Sequence, residues 1–154
     1  AAIDQARIGA GALSVNVATQ VPSGVAQVTN LGPGCGTPSP SLGANGQPTI
    51  PNASFGLQLT TTPGAVVLLF FSPQQASVPI ATGCTQYLDS FSIVGYGAHV
   101  ADGAGVVNVA VPVPNDLGFD GVPIYWQAAQ GVSGGPVLGA FTISNGLATR
   151  FGCR

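Results

Sequence analysis

GAVVLLFFS (Gly64–Ser72) is apolar at every position from Ala65 to Phe71 and is bounded by a Pro-Gly pair on one side and Ser-Pro on the other. An apolar run of this length, rich in β-branched and aromatic residues, reads as a strand with both faces covered, at the centre of a sheet. It is far below the ~20 residues of a membrane-spanning helix. The runs around it have a different period. SFGLQLT (54–60) sets Phe55, Leu57 and Leu59 against Gly56, Gln58 and Thr60, and LSVNVAT (13–19) places Leu13, Val15 and Val17 on one face. FSIVGYG (91–97), GVVNVAV (105–111), VPIYWQAA (122–129) and LGAFTIS (138–144) follow, each flanked by Gly, Pro, Asn or Asp. Half-buried strands alternate in this way, and these residues punctuate them. In SNGLATRF (144–151) the dipeptide Asn145-Gly146 separates two short β-like runs and predicts a tight hairpin. With 23 Gly and 13 Pro spread along the chain, long helices have no room. The expected fold is all-β, an antiparallel β-sandwich of jelly-roll or immunoglobulin-like type.

Two regions depart from this rhythm. Residues 1–27 form an N-terminal extension with its own apolar strand, ahead of a sandwich over 28–154. Gly32–Asn52 is turn-rich and irregular, and Cys35 within it predicts that the segment is stapled to the sandwich.

Composition narrows the function classes. Of 154 residues only 5% are charged, against roughly 25% in an ordinary domain, and the formal net charge is −2. Arg7, Arg150 and Arg154 are the only basic side chains besides His99, too few for a phosphate track or an anionic membrane surface. No nucleic-acid partner and no membrane span are expected. The opening AAIDQ reads as a mature N-terminus left by removal of a signal peptide, which predicts an exported protein, extracellular or at the cell surface. Cys35, Cys84 and Cys153 lack C-x-x-C spacing, and His99 has no Cys or His beside it, so a zinc site is not expected. In an exported chain the three cysteines predict one disulfide plus a leftover thiol or an intermolecular bridge.

GVSGGP (131–136) looks like the surroundings of a nucleophilic serine, Ser133. Such a serine needs a base, an orienting acid and an oxyanion hole. The only candidate base is His99, with Asp102 three residues on, and no Asp or His follows Ser133 as a hydrolase elbow requires. The stretch is read as a turn of small residues, and no catalytic residue is expected. PNDLGFDG (114–121) offers Asn115, Asp116 and Asp120, oxygen ligands of the kind Ca²⁺ takes, but without EF-hand spacing. It too is read as a turn, and neither a metal nor a cofactor is expected. Tyr125 and Trp126 point to opposite faces of one strand; Trp126 is placed in the core and Tyr125 outside, where it could stack on a sugar. Asn52–Ser54 is a glycosylation sequon, and the hydroxyl-rich 37–41 and 60–62 are candidate O-glycan sites.

The order of five motifs, GPGCG (32–36), PTIPNASFGLQLT (48–60), TGCTQYLD (82–89), VPVPNDLGFDGVPIYWQAA (111–129) and ISNGL (143–147), resembles an uncharacterised family of exported bacterial Gly/Pro-rich β-sandwich domains, often found at the ends of large secreted proteins. The resemblance runs from about Leu31 to Gly152. It implies a disulfide between Cys35 and Cys84 and implies no catalytic residues. The extension 1–27 and Cys153 depart from the family pattern.

The function expected from this reading is a structural subunit of an extracellular assembly, such as a filament, sheath or matrix fibre. Near-absence of charge favours association, and the strand bearing Leu13, Val15 and Val17 would add to the sheet of a neighbouring copy in a homo-polymer. The alternative is a secreted carbohydrate-binding or adhesive module.

Overall fold

The computed structural model of the protein describes residues 24–154 and two short strands before them. In chain order the strands are β1 (Ala2–Ile3), β2 (Val17–Ala18), β3 (Gln27–Gly32), β4 (Ser41–Asn45), β5 (Gly56–Thr60), β6 (Val66–Ser72) and β7 (Gln75–Ala81). They continue as β8 (Cys84–Leu88), β9 (Val94–Val100), β10 (Val106–Ala110), β11 (Pro123–Gly131), β12 (Phe141–Ile143) and β13 (Gly146–Arg150). Among the described residues a single 3-10 turn, Leu117–Phe119, interrupts them.

The larger sheet runs β3-β13-β11-β6-β9, all neighbours antiparallel, with β12 paired to β11 on the β13 side. The expected central strand is central: β6 lies between β11 and β9. A second sheet runs β10-β5-β4. Its inward residues Leu42, Leu57, Leu59, Val107 and Val109 pack against Val67, Leu69, Trp126, Ala128 and Leu147 of the larger sheet in one core. The alternation read in 54–60 is that of β5, where Leu57 and Leu59 are fully buried while Gln58 and Thr60 are exposed. The all-β antiparallel sandwich is therefore the fold.

Trp126 is 2% exposed and is the largest side chain in that core. Its indole N–H donates to Thr149 Oγ1 at 2.9 Å, which satisfies the one polar atom it carries inside. Phe71 and Tyr96 flank it at centroid distances of 5.5 and 5.3 Å.

The hairpin β7–β8 forms a third layer over the outer face of the larger sheet. A side chain of that sheet holds it. Gln127 Oε1 accepts the Tyr87 backbone N–H at 2.9 Å, and Gln127 Nε2 donates to Thr85 O at 2.9 Å and to Ser144 O at 3.1 Å. Tyr87 lies so close to Gly146 that a Cβ there would fall 2.5 Å from its ring. The Cys35–Cys84 disulfide ties the hairpin to the segment before β4, with Ile143 packed beside it. Cys153 is a half-buried free thiol.

Two expectations change. Asn145-Gly146 does not reverse the chain: β12 and β13 both run antiparallel to β11, one after the other, so the dipeptide is a jog in one strand line. The reason is what the two residues do there. Asn145 pairs with both backbone groups of Leu42, accepting its N–H at 2.7 Å and donating to its C=O at 2.9 Å, and Gly146 makes room for Tyr87. The turn-rich Gly32–Asn52 is only partly irregular, because it contains β4.

At the N-terminal side, Cys153 N–H donates to Gly24 O and Ala26 N–H to Arg154 O, so residues 24–26 pair with the end of their own domain, and β3 begins at Gln27. Val17 and Ala18 pair antiparallel with Ile3 and Ala2. Leu13 and Val15 lie outside the described residues, as does the side chain of Val17.

Candidate functional site

The residues with chemical potential in the sequence are dispersed by the fold. Ser133 is exposed in the connection between β11 and β12, where Gly135 N–H bonds Val132 O and Val132 N–H bonds Ala140 O. His99 sits on β9 opposite Val67. Strands β11 and β6 separate β9 from β12, so three strand spacings, roughly 14 Å, lie between their lines. Its Nε2 is buried without a hydrogen-bond partner among the described residues. The carboxylate of Asp102 accepts the N–H groups of Ala104 and Val106 and closes the turn into β10.

The Asn/Asp cluster divides: Asp116 serves its own turn, while Asp120 reaches a distant segment and keeps a buried Oδ1 without a hydrogen-bond partner among the described residues. Asp116 accepts Gly118 N–H at 2.8 Å and caps the 3-10 turn, while Asp120 accepts Gly24 N–H at 3.2 Å. Among the described residues no three His, Cys, Asp or Glu side chains gather as metal ligands. Asn52 uses its amide twice, donating to Gln47 O at 2.9 Å and accepting Ser54 N–H at 3.0 Å. The sequon nitrogen is thus engaged in the folded chain. Trp126 lies in the core, and Tyr125 is half-buried on the opposite, outer face.

What the fold presents to a partner is an edge. Among the described residues strand β9 pairs only with β6, and its other side offers a row of backbone N–H and C=O groups without a strand partner there. It is seven residues long, and all of it except His99 is exposed. Edge strands are ordinarily protected by Lys, Pro, short length or a covering loop. VGYGAHV carries no Lys, Asp, Glu, Arg or Pro. Sequence reading placed a strand over 91–97 but gave no sign that its partner side would be open, because sheet order is a long-range property.

Next to this edge the outer sheet face is apolar. A cleft of about 260 Å³ opens between the hairpin and the sheet, lined by Leu68, Phe70, Ile80, Leu88, Ile93 and Phe141 among others. Ile93 leads directly into β9, and Leu68 and Phe70 belong to the strand beside it. Phe91, two residues before Ile93, is 100% exposed. No helix among the described residues is long and apolar enough to cross a membrane. The disulfide fits an oxidising compartment.

Compared with protein-family models, curated proteins and solved structures, the chain matches none of them.

Proposed function

We propose that the protein is a structural subunit of an extracellular assembly, joined copy to copy by β-strand addition. The observation that carries this reading is the uncharged seven-residue edge β9, uncovered by any strand among the described residues. The donor is the N-terminal extension, whose Leu13, Val15 and Val17 alternate at strand period. Docked beside β9, one face of such a strand covers the apolar surface of Leu68, Phe70 and Ile93. Its backbone satisfies the free groups of the edge. The β1–β2 pairing uses one side of Val17–Ala18, and among the described residues the other side has no strand partner. Contact between a donor on one copy and an acceptor on the next is heterologous, and a heterologous contact that does not close generates a filament. Export and a cell-surface or extracellular location belong to the same reading, supported by the disulfide and by the motif resemblance.

Deletion of residues 1–20 tests it. The truncated chain is expected to keep its β-sheet circular dichroism and to stay dispersed under electron microscopy, while the intact chain forms filaments. Filaments from the truncated chain, or an intact chain that is strictly monomeric at high concentration, would refute strand addition through the extension.

A further inference from the structure

On the other half of the outer face, away from β9, lies a second groove of about 410 Å³ with a different character. Its shape follows from register. Thr29 of β3, Ala148 of β13 and Tyr125 of β11 form one cross-strand row, and Gln27, Arg150 and Pro123 form the next. The small Ala148 between Thr29 and Tyr125 makes the floor of a trough whose walls are two strand spacings, about 10 Å, apart. Gln75, at the start of β7, overhangs one side, and Leu31 continues the β3 wall.

Five polar groups converge here: the side chains of Gln27, Thr29, Gln75 and Arg150 and the hydroxyl of Tyr125. None makes a side-chain hydrogen bond or ion pair with a described residue, whereas the amides of Gln127 and Asn145 inside the molecule are fully engaged. Tyr125 itself is half-buried and lines the same groove.

This combination selects a ligand class. An apolar ligand would strip water from five groups and repay none of them. A polyphosphate or nucleic acid would meet a single cation. A saccharide presents C–H faces that lie on an aromatic ring and hydroxyls that both donate and accept, as amide and hydroxyl side chains do. Arg150, which forms no ion pair among the described residues, matches a carboxylate in bidentate geometry.

We propose that the Tyr125 groove binds a uronate-containing oligosaccharide, with a sugar ring on Tyr125, hydroxyls on Gln27, Thr29 and Gln75, and the uronate carboxylate on Arg150. The site is independent of strand addition at β9, so either can fail without the other.

The test is titration of the full chain with a short oligogalacturonate and with the matching neutral galactan, followed by calorimetry and by amide chemical shifts. The expected result is saturable binding of the uronate, with shifts at Thr29, Tyr125 and Ala148, and weaker binding of the neutral sugar. Arg150→Gln is expected to weaken the uronate about tenfold or more while leaving the galactan unchanged, since it removes a charge-assisted pair. Tyr125→Ala is expected to abolish both, and Tyr125→Phe to retain most binding. If Tyr125→Ala does not fold, the exposed Gln75→Ala and Arg150→Gln decide alone. Absence of saturable binding by the uronate, equal affinity in wild type and Arg150→Gln, or shifts confined to another surface would overturn the proposal.

Discussion

The side-chain amide of Gln127 meets the β8 backbone as a neighbouring strand would, accepting from residue 87 and donating to residue 85. Asn145 does the same for Leu42, with both backbone groups of one residue. Two amides therefore join the three layers where sheet edges do not meet, Gln127 buried and Asn145 partly so. Replacing Gln127 by Leu would keep the volume but leave Tyr87 N–H and the carbonyls of Thr85 and Ser144 without that partner. Each orphaned buried group costs about 1–3 kcal/mol, so a loss of about 2–5 kcal/mol is expected in chemical denaturation. A loss under about 1 kcal/mol would mean that water replaces the amide. Neither amide was legible in the sequence. A polar residue in an alternating run is assigned to solvent, and Gln127 is outward in its own sheet; only the third layer buries it. Asn145-Gly146 has the composition of a hairpin turn, and tertiary partners, Leu42 and Tyr87, override that local preference.

Strands were more legible than the side chains that join them, for a physical reason. Burial of one or both faces imprints a period on each run, so β5, β6, β10 and β11 could be read directly. The hairpin β7–β8 could not: QASVPIA sets Ala76, Val78 and Ile80 against Gln75, Ser77 and Pro79, but Pro79 interrupts the run and the strand is mostly exposed. Its anchor is covalent instead. The Cys35–Cys84 bridge spans 49 residues of sequence. Closing a loop of that size stabilises a chain by about 4 kcal/mol through unfolded-state entropy. Substituting both cysteines by Ser is expected to lose a comparable amount and to free the hairpin, raising binding of an apolar dye at the cleft lined by Leu68, Phe70 and Leu88. Unchanged dye binding would show that Gln127 alone holds the layer. At the opposite extreme stands β9, whose proposed role as an acceptor depends on being unprotected. Ala98 pairs with Leu68 on its outer face, and Lys there is accommodated by solvent. Ala98→Lys is expected to leave monomer stability within about 0.5 kcal/mol and to abolish filaments, since a charge on an edge strand opposes pairing. Normal filaments from this variant would move the acceptor to another edge, β3, β4 or β10.

At the scale of the molecule the decisive property is the scarcity of charge. Five carboxylates and three guanidinium groups are spread over 154 residues, and the carboxylates of Asp102, Asp116 and Asp120 are occupied by backbone N–H groups of their own turns or neighbours. Association between copies then has little Coulomb repulsion to overcome and few ion pairs to form. In the proposed assembly it would come from backbone hydrogen bonds at a sheet edge and from apolar area such as Ile93, Phe91 and the β6 face. Both respond weakly to ionic strength at moderate salt. Between about 0.01 M and about 1 M salt the screening length falls from about 30 to about 3 Å, which removes most surface electrostatics. Filament yield, followed by light scattering and microscopy, is expected to stay nearly constant or rise across that range. Uronate binding at Arg150 is expected to weaken over the same range, because it includes a pair of opposite charges at the surface. The two responses therefore run in opposite directions on one molecule. Filaments that dissolve as salt rises would mean that ion pairs hold the copies together, and strand addition at the uncharged β9 edge would then be the wrong description of the contact.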